Sequence, residues 1–297
     1  NDTDTTWLFR EPIVDVFKDV PVRNSLSRKV SNNPIFQGDF HMEFCDNIRQ
    51  LLQAYFRDFA VERLDRPWQA FTGSWSNSAI ARNLGINTTY VTGRHSYVLV
   101  RLARHRDSSR VHEDSPITSD NVVLHDAVAK QADLVTIGDT ASVVDFIRSF
   151  GSHYVTSYVT GNSLYQVFVF TTPIYSRIKE ILKSRGVSSL SMEELSSYFS
   201  PWYAEHVGKI LTASGNVTLE SWAQENLRVQ FYFFIYSSLL KLHTDNSLLK
   251  ELDKLLVNEA VLQLDLRTLS VAFKDPEKRR WFEEVIDNNL KLWEVNM

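Results

Sequence analysis

A charge-free stretch of strand-like sequence constrains this chain more than any other feature. Residues 154–176 contain no Asp, Glu, Lys or Arg and are rich in Tyr, Val, Thr and Phe, the branched and aromatic residues that fit a pleated sheet. Gly161-Asn162 interrupts the stretch, Pro173 ends it, and its Ser and Thr content is high, which argues against a membrane-spanning helix. We predict one long strand that bends at Gly161 and is covered on both faces.

A helix is predicted immediately before this strand. Asp139 or Thr140 can cap it, and apolar residues recur at helical spacing from Val143 onward. A glycine then stands where helices commonly stop, because Gly accepts a left-handed backbone without steric cost. The junction between helix and strand consists of Phe150, Gly151, Ser152, His153 and Tyr154.

This junction resembles the signature of the membrane attack complex/perforin (MACPF) family, an aromatic residue followed by Gly, Thr or Ser, His and a second aromatic residue. The family places its signature after a helix and before a long strand, as in this chain. Two positions depart from the family pattern. Val143 stands where Tyr or Trp is usual, and Gly161-Asn162 stands where a pair of glycines commonly follows.

The resemblance implies an α+β fold in which a bent, twisted four-stranded antiparallel sheet is flanked by helical clusters, with further helices at both ends of the chain. On this basis residues 1–67 form an N-terminal arm with an amphipathic helix over 41–63, residues 68–242 form the MACPF core, and residues 243–297 form a helical extension. Within the core we expect strands near 68–102, a first cluster between 71 and 90, a second over 174–228, and a strand over 229–236.

The composition and the N-glycosylation sequons indicate in which cellular compartment the protein is found. The net charge of −4 argues against general nucleic-acid binding, which favours basic proteins. Cys45 is the only cysteine, so no intramolecular disulfide forms, and we predict that it is buried in a helix and unreactive. N-glycosylation sequons begin at Asn1, Asn87 and Asn216. Together with the resemblance, the sequons indicate a secreted, extracellular glycoprotein.

No motif for catalysis, for a cofactor or for a metal is recognisable in the sequence. Phosphate-binding loops, zinc-protease motifs and nucleophile elbows are absent from it. Ser152 and His153 are adjacent, and neighbouring residues on a strand point to opposite faces, so we do not expect them to act as nucleophile and base. We predict that the chain is not an enzyme and that His153 is structural.

Two functions remain open on the resemblance. In a pore-forming effector, the two clusters would unfurl into membrane-crossing hairpins and the protein would oligomerise. In a non-lytic secreted protein the same fold would serve extracellular signalling. The charges of 174–228 and the sequons at Asn87 and Asn216 count against insertion, because a sugar crosses lipid at very high cost.

The context of the signature is closer to an insect signalling member of the family. That likeness implies a role in receptor tyrosine kinase signalling during embryonic terminal patterning. The implied partners are an extracellular protein ligand or its processing machinery, the eggshell matrix and a membrane surface, with no nucleic acid among them.

Overall fold

The structure is a computed structural model that describes residues 16–18, 40–62, 64–72, 75–110, 117–257 and 259–296. The strands are β1 (Phe17–Lys18), β2 (Phe40–Cys45), β3 (Phe59–Val61), β4 (His95–Arg110), β5 (Val123–Leu124), β6 (His153–Thr171), β7 (His206–Val207), β8 (Leu211–Thr212), β9 (Arg228–Phe231), β10 (Phe234–Ser237) and β11 (Ala260–Thr268). The α-helices are α1 (Ile48–Tyr55), α2 (Gln69–Thr72), α3 (Asn77–Leu84), α4 (Asp126–Asp133), α5 (Thr140–Phe150), α6 (Thr172–Arg185), α7 (Met192–Tyr198), α8 (Val217–Asn226), α9 (Lys241–Thr244), α10 (Asn246–Leu255) and α11 (Pro276–Asn296). Short 3₁₀ helices cover Thr88–Val91, Val187–Ser189 and Leu269–Ala272.

Strand β6 organises the main sheet. The sheet order is β2-β4-β6-β11-β3. The pairs β2–β4, β4–β6 and β6–β11 are antiparallel, whereas β3 is parallel to β11. Strand β11 and the short strands β7 and β8 share the edge of β6 that faces away from β4. Strand β11 pairs with its first half up to Gly161, and β7 and β8 pair with its second half. Both sides of the longest strand are therefore paired.

The two faces of β6 look into two separate cores, which confirms the prediction that the strand is covered on both sides. Side chains on a strand alternate between faces. Tyr165, Val167 and Val169 pack with α1, α3, α5 and α11. Leu164 and Phe168 pack with α6, α7, α8 and α10. Helices α1, α3, α5 and α11 thus lie on one face of the sheet, and helices α6, α7, α8 and α10 lie on the other.

The N-terminal part of the chain differs from the predicted helix over 41–63. Residues 40–45 form β2, α1 begins only after Asn47, and β3 follows at Phe59. The Asn47 side chain accepts a hydrogen bond from the backbone N–H of Gln50 and so fixes the start of α1. Pairing with β4 holds residues 40–45 extended, a tertiary contact that outweighs the helical pattern. Cys45 is therefore buried in a strand, and burial raises the pKa of its thiol to about 12.

The described region between β3 and β4 contains helices and turns but no strand, so the prediction of a strand near residue 68 was wrong. Helices α2 and α3 occupy it. The first cluster therefore comprises the described residues between β2 and β4 (46–94) and is larger than the 71–90 that we expected. Strand β4 also continues to Arg110, beyond residue 102, where we expected the strands of this region to end.

Two predictions in the C-terminal half were also wrong. The strand predicted over 229–236 is a hairpin, because the chain turns at Tyr232 and Phe233 between β9 and β10. This hairpin is separate from the main sheet. The strand that completes the antiparallel set is instead β11, in a tail predicted to be wholly helical. The main sheet thus includes strands from both segments that flank residues 68–242.

Candidate functional site at the joints between the sheet and its clusters

The residues of the signature form a tight joint between α5 and β6. Gly151 ends α5 with φ 87° and ψ −178°, a combination open to Gly and almost closed to other residues. It is an extended conformation with positive φ and not the left-handed helical one that we expected. The N–H of Gly151 donates to the carbonyl of Ile147, at 2.7 Å, and the carbonyl of Ser152 accepts from the N–H of Leu269, at 2.8 Å. The joint is thereby tied to the end of β11.

The two aromatic residues of the signature pack structural elements together. The Phe150 ring lies 5.3 Å from that of Phe146, centroid to centroid, and Phe146 in turn contacts Phe282 of α11. The Tyr154 ring meets the ring of Phe17 on β1 edge to face at 5.2 Å. These rings join α5, α11 and β1 to the sheet, so their arrangement is one of packing.

Ser152 and His153 do contact each other, contrary to the expectation from strand alternation. Ser152 Oγ lies 2.7 Å from His153 Nδ1, because Ser152 sits in the bend before β6 and not within the strand. The other ring nitrogen, Nε2, is buried without a hydrogen-bond partner. Burial lowers the pKa of His153 to about 4, so the ring is neutral at pH 7. Since no acid orients Nε2, the pair lacks the third member of a catalytic triad.

Gly161 lies where β6 passes a bulge in β4. The register between the two strands shifts between His105 and Asp107, opposite Gly161 and Thr160. A Cβ atom at Gly161 would overlap the carbonyl oxygen of Arg104. This position therefore requires a residue without a side chain, and not an unusual backbone angle. Bulges of this kind bend and twist the strand that contains them.

A buried amide clamps the second cluster onto β6. We define the second cluster as residues 172–257, from α6 through α10. Gln166 is fully buried on β6, and its Nε2 donates to the carbonyls of Gly208, at 2.9 Å, and Ser237, at 2.8 Å. Its Oε1 accepts from the N–H of Leu239 at 2.8 Å. One side chain therefore satisfies three backbone groups from two separate parts of the cluster.

A second clamp joins both clusters where they leave the sheet. Asp46 follows β2, and its Oδ1 accepts hydrogen bonds from Tyr175 Oη, at 2.6 Å, and from Lys179 Nζ, at 3.0 Å, both on α6. The carbonyl of Asp46 accepts from Ser96 Oγ at 2.9 Å. The hydrogen bonds from Tyr175 and Lys179 lower the pKa of Asp46, while burial and the bond to Asp46 raise the pKa of Tyr175.

The segment of the second cluster that carries β7 and β8 also contacts the first cluster. The N–H of Lys209 donates to the carbonyl of Gly85 in the first cluster, at 2.9 Å. The Tyr90 ring stacks on the ring of His206 with centroids 4.9 Å apart. Gly208 lies against the carbonyl of Val167, at 2.5 Å from the position that a Cβ atom would take. The segment of β7 and β8 is therefore in contact with both β6 and the first cluster.

The structure places two of the three sequons in the clusters, each at the start of a helix. Asn87 is exposed, and its Oδ1 accepts a hydrogen bond from the N–H of Thr89 at 3.0 Å. Asn216 is half-buried and caps α8 through the N–H of Leu219 at 3.2 Å. Asn1 lies outside the described residues.

Neither clamp was identified from the sequence. Gln166 is the one long amide within the apolar run of residues 164–170, and a polar group in a strand that is buried on both faces must find partners. The sequence therefore contained a signal for the clamp at Gln166. Asp46 carried no such signal, since its partners lie about 130 residues away in the chain.

The described residues show neither a metal site nor a membrane-spanning helix. No group of three or more His, Cys, Asp or Glu side chains comes together among them in a way that could hold a metal ion. None of the helices within the described ranges is long and apolar enough to cross a membrane.

Comparison with known proteins finds similarity in structure but not in sequence. No protein-family model and no curated protein sequence matches the chain. GNIP1Aa from Chromobacterium piscinae aligns with a TM-score of 0.53 and 11% identity, over 86% of this chain and 45% of that one. A putative cell invasion protein with a MAC/Perforin domain from Bacteroides thetaiotaomicron aligns with a TM-score of 0.43 and 12% identity, over 84% of this chain and 50% of that one.

Astrotactin-2, described as a vertebrate-specific and perforin-like membrane protein involved in neuronal development, aligns with a TM-score of 0.32 and 10% identity, over 65% of this chain and 68% of that one. This chain spans about half the length of the two bacterial structures. At these identities the likeness concerns the fold, for which the alignment with GNIP1Aa is the basis. The chain is a mixed α+β structure with a mostly antiparallel sheet between helical clusters. It has the fold of MACPF-like structures.

Proposed function

We propose that this chain is a secreted perforin-like protein of the MACPF family that acts in extracellular signalling and does not lyse membranes. The context of its signature resembles the insect secreted protein Torso-like. On that likeness, its role is localised activation of the Torso receptor tyrosine kinase in terminal patterning of the embryo. The partners that we propose are the extracellular ligand or its processing machinery, the eggshell matrix and a membrane surface. No catalytic step and no cofactor is part of the proposal.

The observation that carries the non-lytic part of the proposal is the double clamp on the clusters. Insertion would require the second cluster to leave β6, which breaks the three buried hydrogen bonds of Gln166. It would also separate Asp46 from α6 and remove β7 and β8 from the edge of β6. Each buried polar group left unpaired costs about 1–3 kcal/mol, so release needs a large compensating gain.

The surface of the second cluster supports the same proposal. Twelve charged residues lie in the part of it that we first identified from the sequence, residues 174–228, namely Arg177, Lys179, Glu180, Lys183, Arg185, Glu193, Glu194, Glu205, Lys209, Glu220, Glu225 and Arg228. Arg185 and Glu194 form an ion pair on its surface. Charges facing lipid cost several kcal/mol each near the middle of a bilayer. A transmembrane hairpin would need to place all of them in a lumen.

Dye release from liposomes by the purified glycosylated protein, with electron microscopy of the same membranes, tests lysis. We expect no release above background and no rings or arcs, while an established lytic perforin-like protein releases the dye in parallel. Release accompanied by rings would overturn the proposal and support the pore-forming alternative.

The signalling role needs its own experiment. Cells that express the Torso receptor are exposed to its ligand with and without the purified chain, and receptor phosphorylation is measured. We expect phosphorylation to rise only when the chain and the ligand are both present. Equal phosphorylation with and without the chain would reject the signalling role, whatever the outcome of the liposome experiment.

A further inference from the structure

The turn of the β9–β10 hairpin carries an exposed aromatic surface. Tyr232 is 74% exposed, Phe233 76%, and Ile235 on β10 69%. Trp202, which follows α7, is 58% exposed, and its ring centroid lies 6.3 Å from that of Tyr232. We call these four residues the aromatic hairpin patch. Exposed apolar side chains that cluster in this way mark interaction surfaces, whereas single ones are ordinary.

The hairpin below the patch is anchored in the second cluster. Phe231 and Phe234 are half-buried beneath the tip. Tyr236, further along β10, is buried, and its hydroxyl donates to the carbonyl of Ser196 at 2.8 Å. The exposed side chains therefore sit at the end of a fixed element.

The backbone at the tip is unfavourable for the residue that it carries. Tyr232 has φ 53° and is the first residue of a two-residue hairpin turn. A positive φ at this position is the pattern of a type II′ turn, in which Gly is normally found. A bulky aromatic residue in this conformation is strained, and such strain concentrates at functional positions. The side chain of Tyr232 is thus present in spite of the backbone.

Charge is distributed along the hairpin in a way that suits a lipid interface. No charged residue occurs between Val229 and Leu240. At the base, Arg228 is exposed and Lys241 follows β10, with Lys241 Nζ donating to the carbonyl of Arg228 at 3.0 Å. A strand rises about 3.3 Å per residue, which puts Arg228 about 13 Å behind Tyr232. Interfacial elements bury apolar groups about 5–10 Å deep, with cations near the lipid phosphates.

We propose that the aromatic hairpin patch docks this protein on a phospholipid membrane interface, with Arg228 facing the lipid phosphates. Trp and Tyr are the residues that anchor proteins at the headgroup level. A two-residue turn is convex and offers no pocket for a partner's side chain, and its uncharged flanks lack the polar rim of a protein interface. The proposal rests on the proposed function for its extracellular setting, and it deepens that function by naming a membrane contact that needs no insertion of either cluster.

Cosedimentation of the full glycosylated chain with phosphatidylcholine vesicles, with and without phosphatidylserine, tests the docking. We expect the wild-type chain to bind both. The double variant Tyr232→Ser/Phe233→Ser should bind at least about tenfold more weakly, because two aromatic side chains no longer leave water. The matched control is Leu134→Ser/Val257→Ser, which removes two side chains that are 65% and 70% exposed elsewhere and should leave binding unchanged.

A second variant separates binding from folding. Tyr232→Gly removes the aromatic side chain and relieves the positive φ, so its melting temperature should equal or exceed that of the wild type. Its vesicle binding should nevertheless fall severalfold. A gain in stability with a loss of binding is not the result of damaged folding.

Several outcomes would overturn the proposal. The wild-type chain could fail to bind either vesicle, or the double variant could bind as well as the control. A wild-type chain that self-associates through the patch without binding vesicles would assign the patch to a protein interface. Absence of vesicle binding with receptor activation intact rejects docking alone, and vesicle binding without receptor activation rejects the signalling role alone.

Discussion

Gln166 is the residue on which the attachment of the second cluster to β6 depends most directly. Replacement by Leu keeps a similar volume but leaves the carbonyls of Gly208 and Ser237 and the N–H of Leu239 without their partner. We expect Gln166→Leu to lower the free energy of unfolding by about 3 kcal/mol, measured by urea denaturation. Gln224→Leu, at an exposed position on α8, is the control and should change it little. Equal stability of the two variants would show that the clamp does not hold the cluster.

His153 gives the protein a dependence on pH whose sign follows from its burial. The pKa is about 4 in the folded protein and about 6.5 in an unfolded chain. Between these values the unfolded state binds more protons, so stability is complete above about pH 6.5 and falls as the pH drops toward 4. The contribution reaches about 3 kcal/mol at the acid end.

The measurement is urea denaturation of the wild type and of His153→Gln at several pH values from 7 to 4. Other groups titrate in this window, so the informative quantity is the difference between the two proteins. The wild type should lose more stability than His153→Gln on acidification, and His41→Gln, at an exposed position, should behave like the wild type. Parallel pH profiles for wild type and His153→Gln would contradict a buried neutral ring.

At the scale of elements, the close approach of β6 to the bulge in β4 depends on one position without a side chain. Gly161→Ala places a methyl group against the carbonyl of Arg104 on β4, and overpacking of this kind costs about 1–3 kcal/mol or more. Gly93→Ala is the matched control, because it meets no atom within 4 Å and bears only the cost of its φ of 88°, about 1–2 kcal/mol. Thermal unfolding should place Gly161→Ala clearly below Gly93→Ala, and the reverse order would argue against close approach at the bulge.

At the scale of the whole molecule, glycans at the two sequons in the clusters would oppose insertion of the clusters into a membrane. Asp caps a helix as well as Asn does, so Asn87→Asp and Asn216→Asp should preserve the caps and prevent glycosylation. We expect the protein secreted from insect cells to lose one glycan mass with each variant, as measured by mass spectrometry, while its melting temperature changes by only a few degrees. Identical masses for a variant and the wild type would mean that the sequon in question is unoccupied and that its sugar does not oppose insertion.

The sequence was most informative where a local pattern has one physical interpretation. The charge-free run identified β6, and the glycine after the apolar helix marked the end of α5 at Phe150. It was misleading where pairing between distant segments overrides local preference. Residues 40–45 read as helix but pair with β4, and residues 229–236 read as one strand but turn at Tyr232, a position that gives no Gly or Asn signal.

The sequence by itself determined that β6 is a long strand covered on both faces, because its residues are apolar on both sides, whereas the fold class was implied by the resemblance of residues 150–154 to a family signature. Only the tertiary structure decided which segments complete the sheet, where the clusters are clamped and which aromatic side chains remain in water. Asp46 meets Tyr175, and Gln166 meets Leu239, across long separations in the chain. Local propensity carries no information on such pairs, since their partners become neighbours only when the whole sheet has formed.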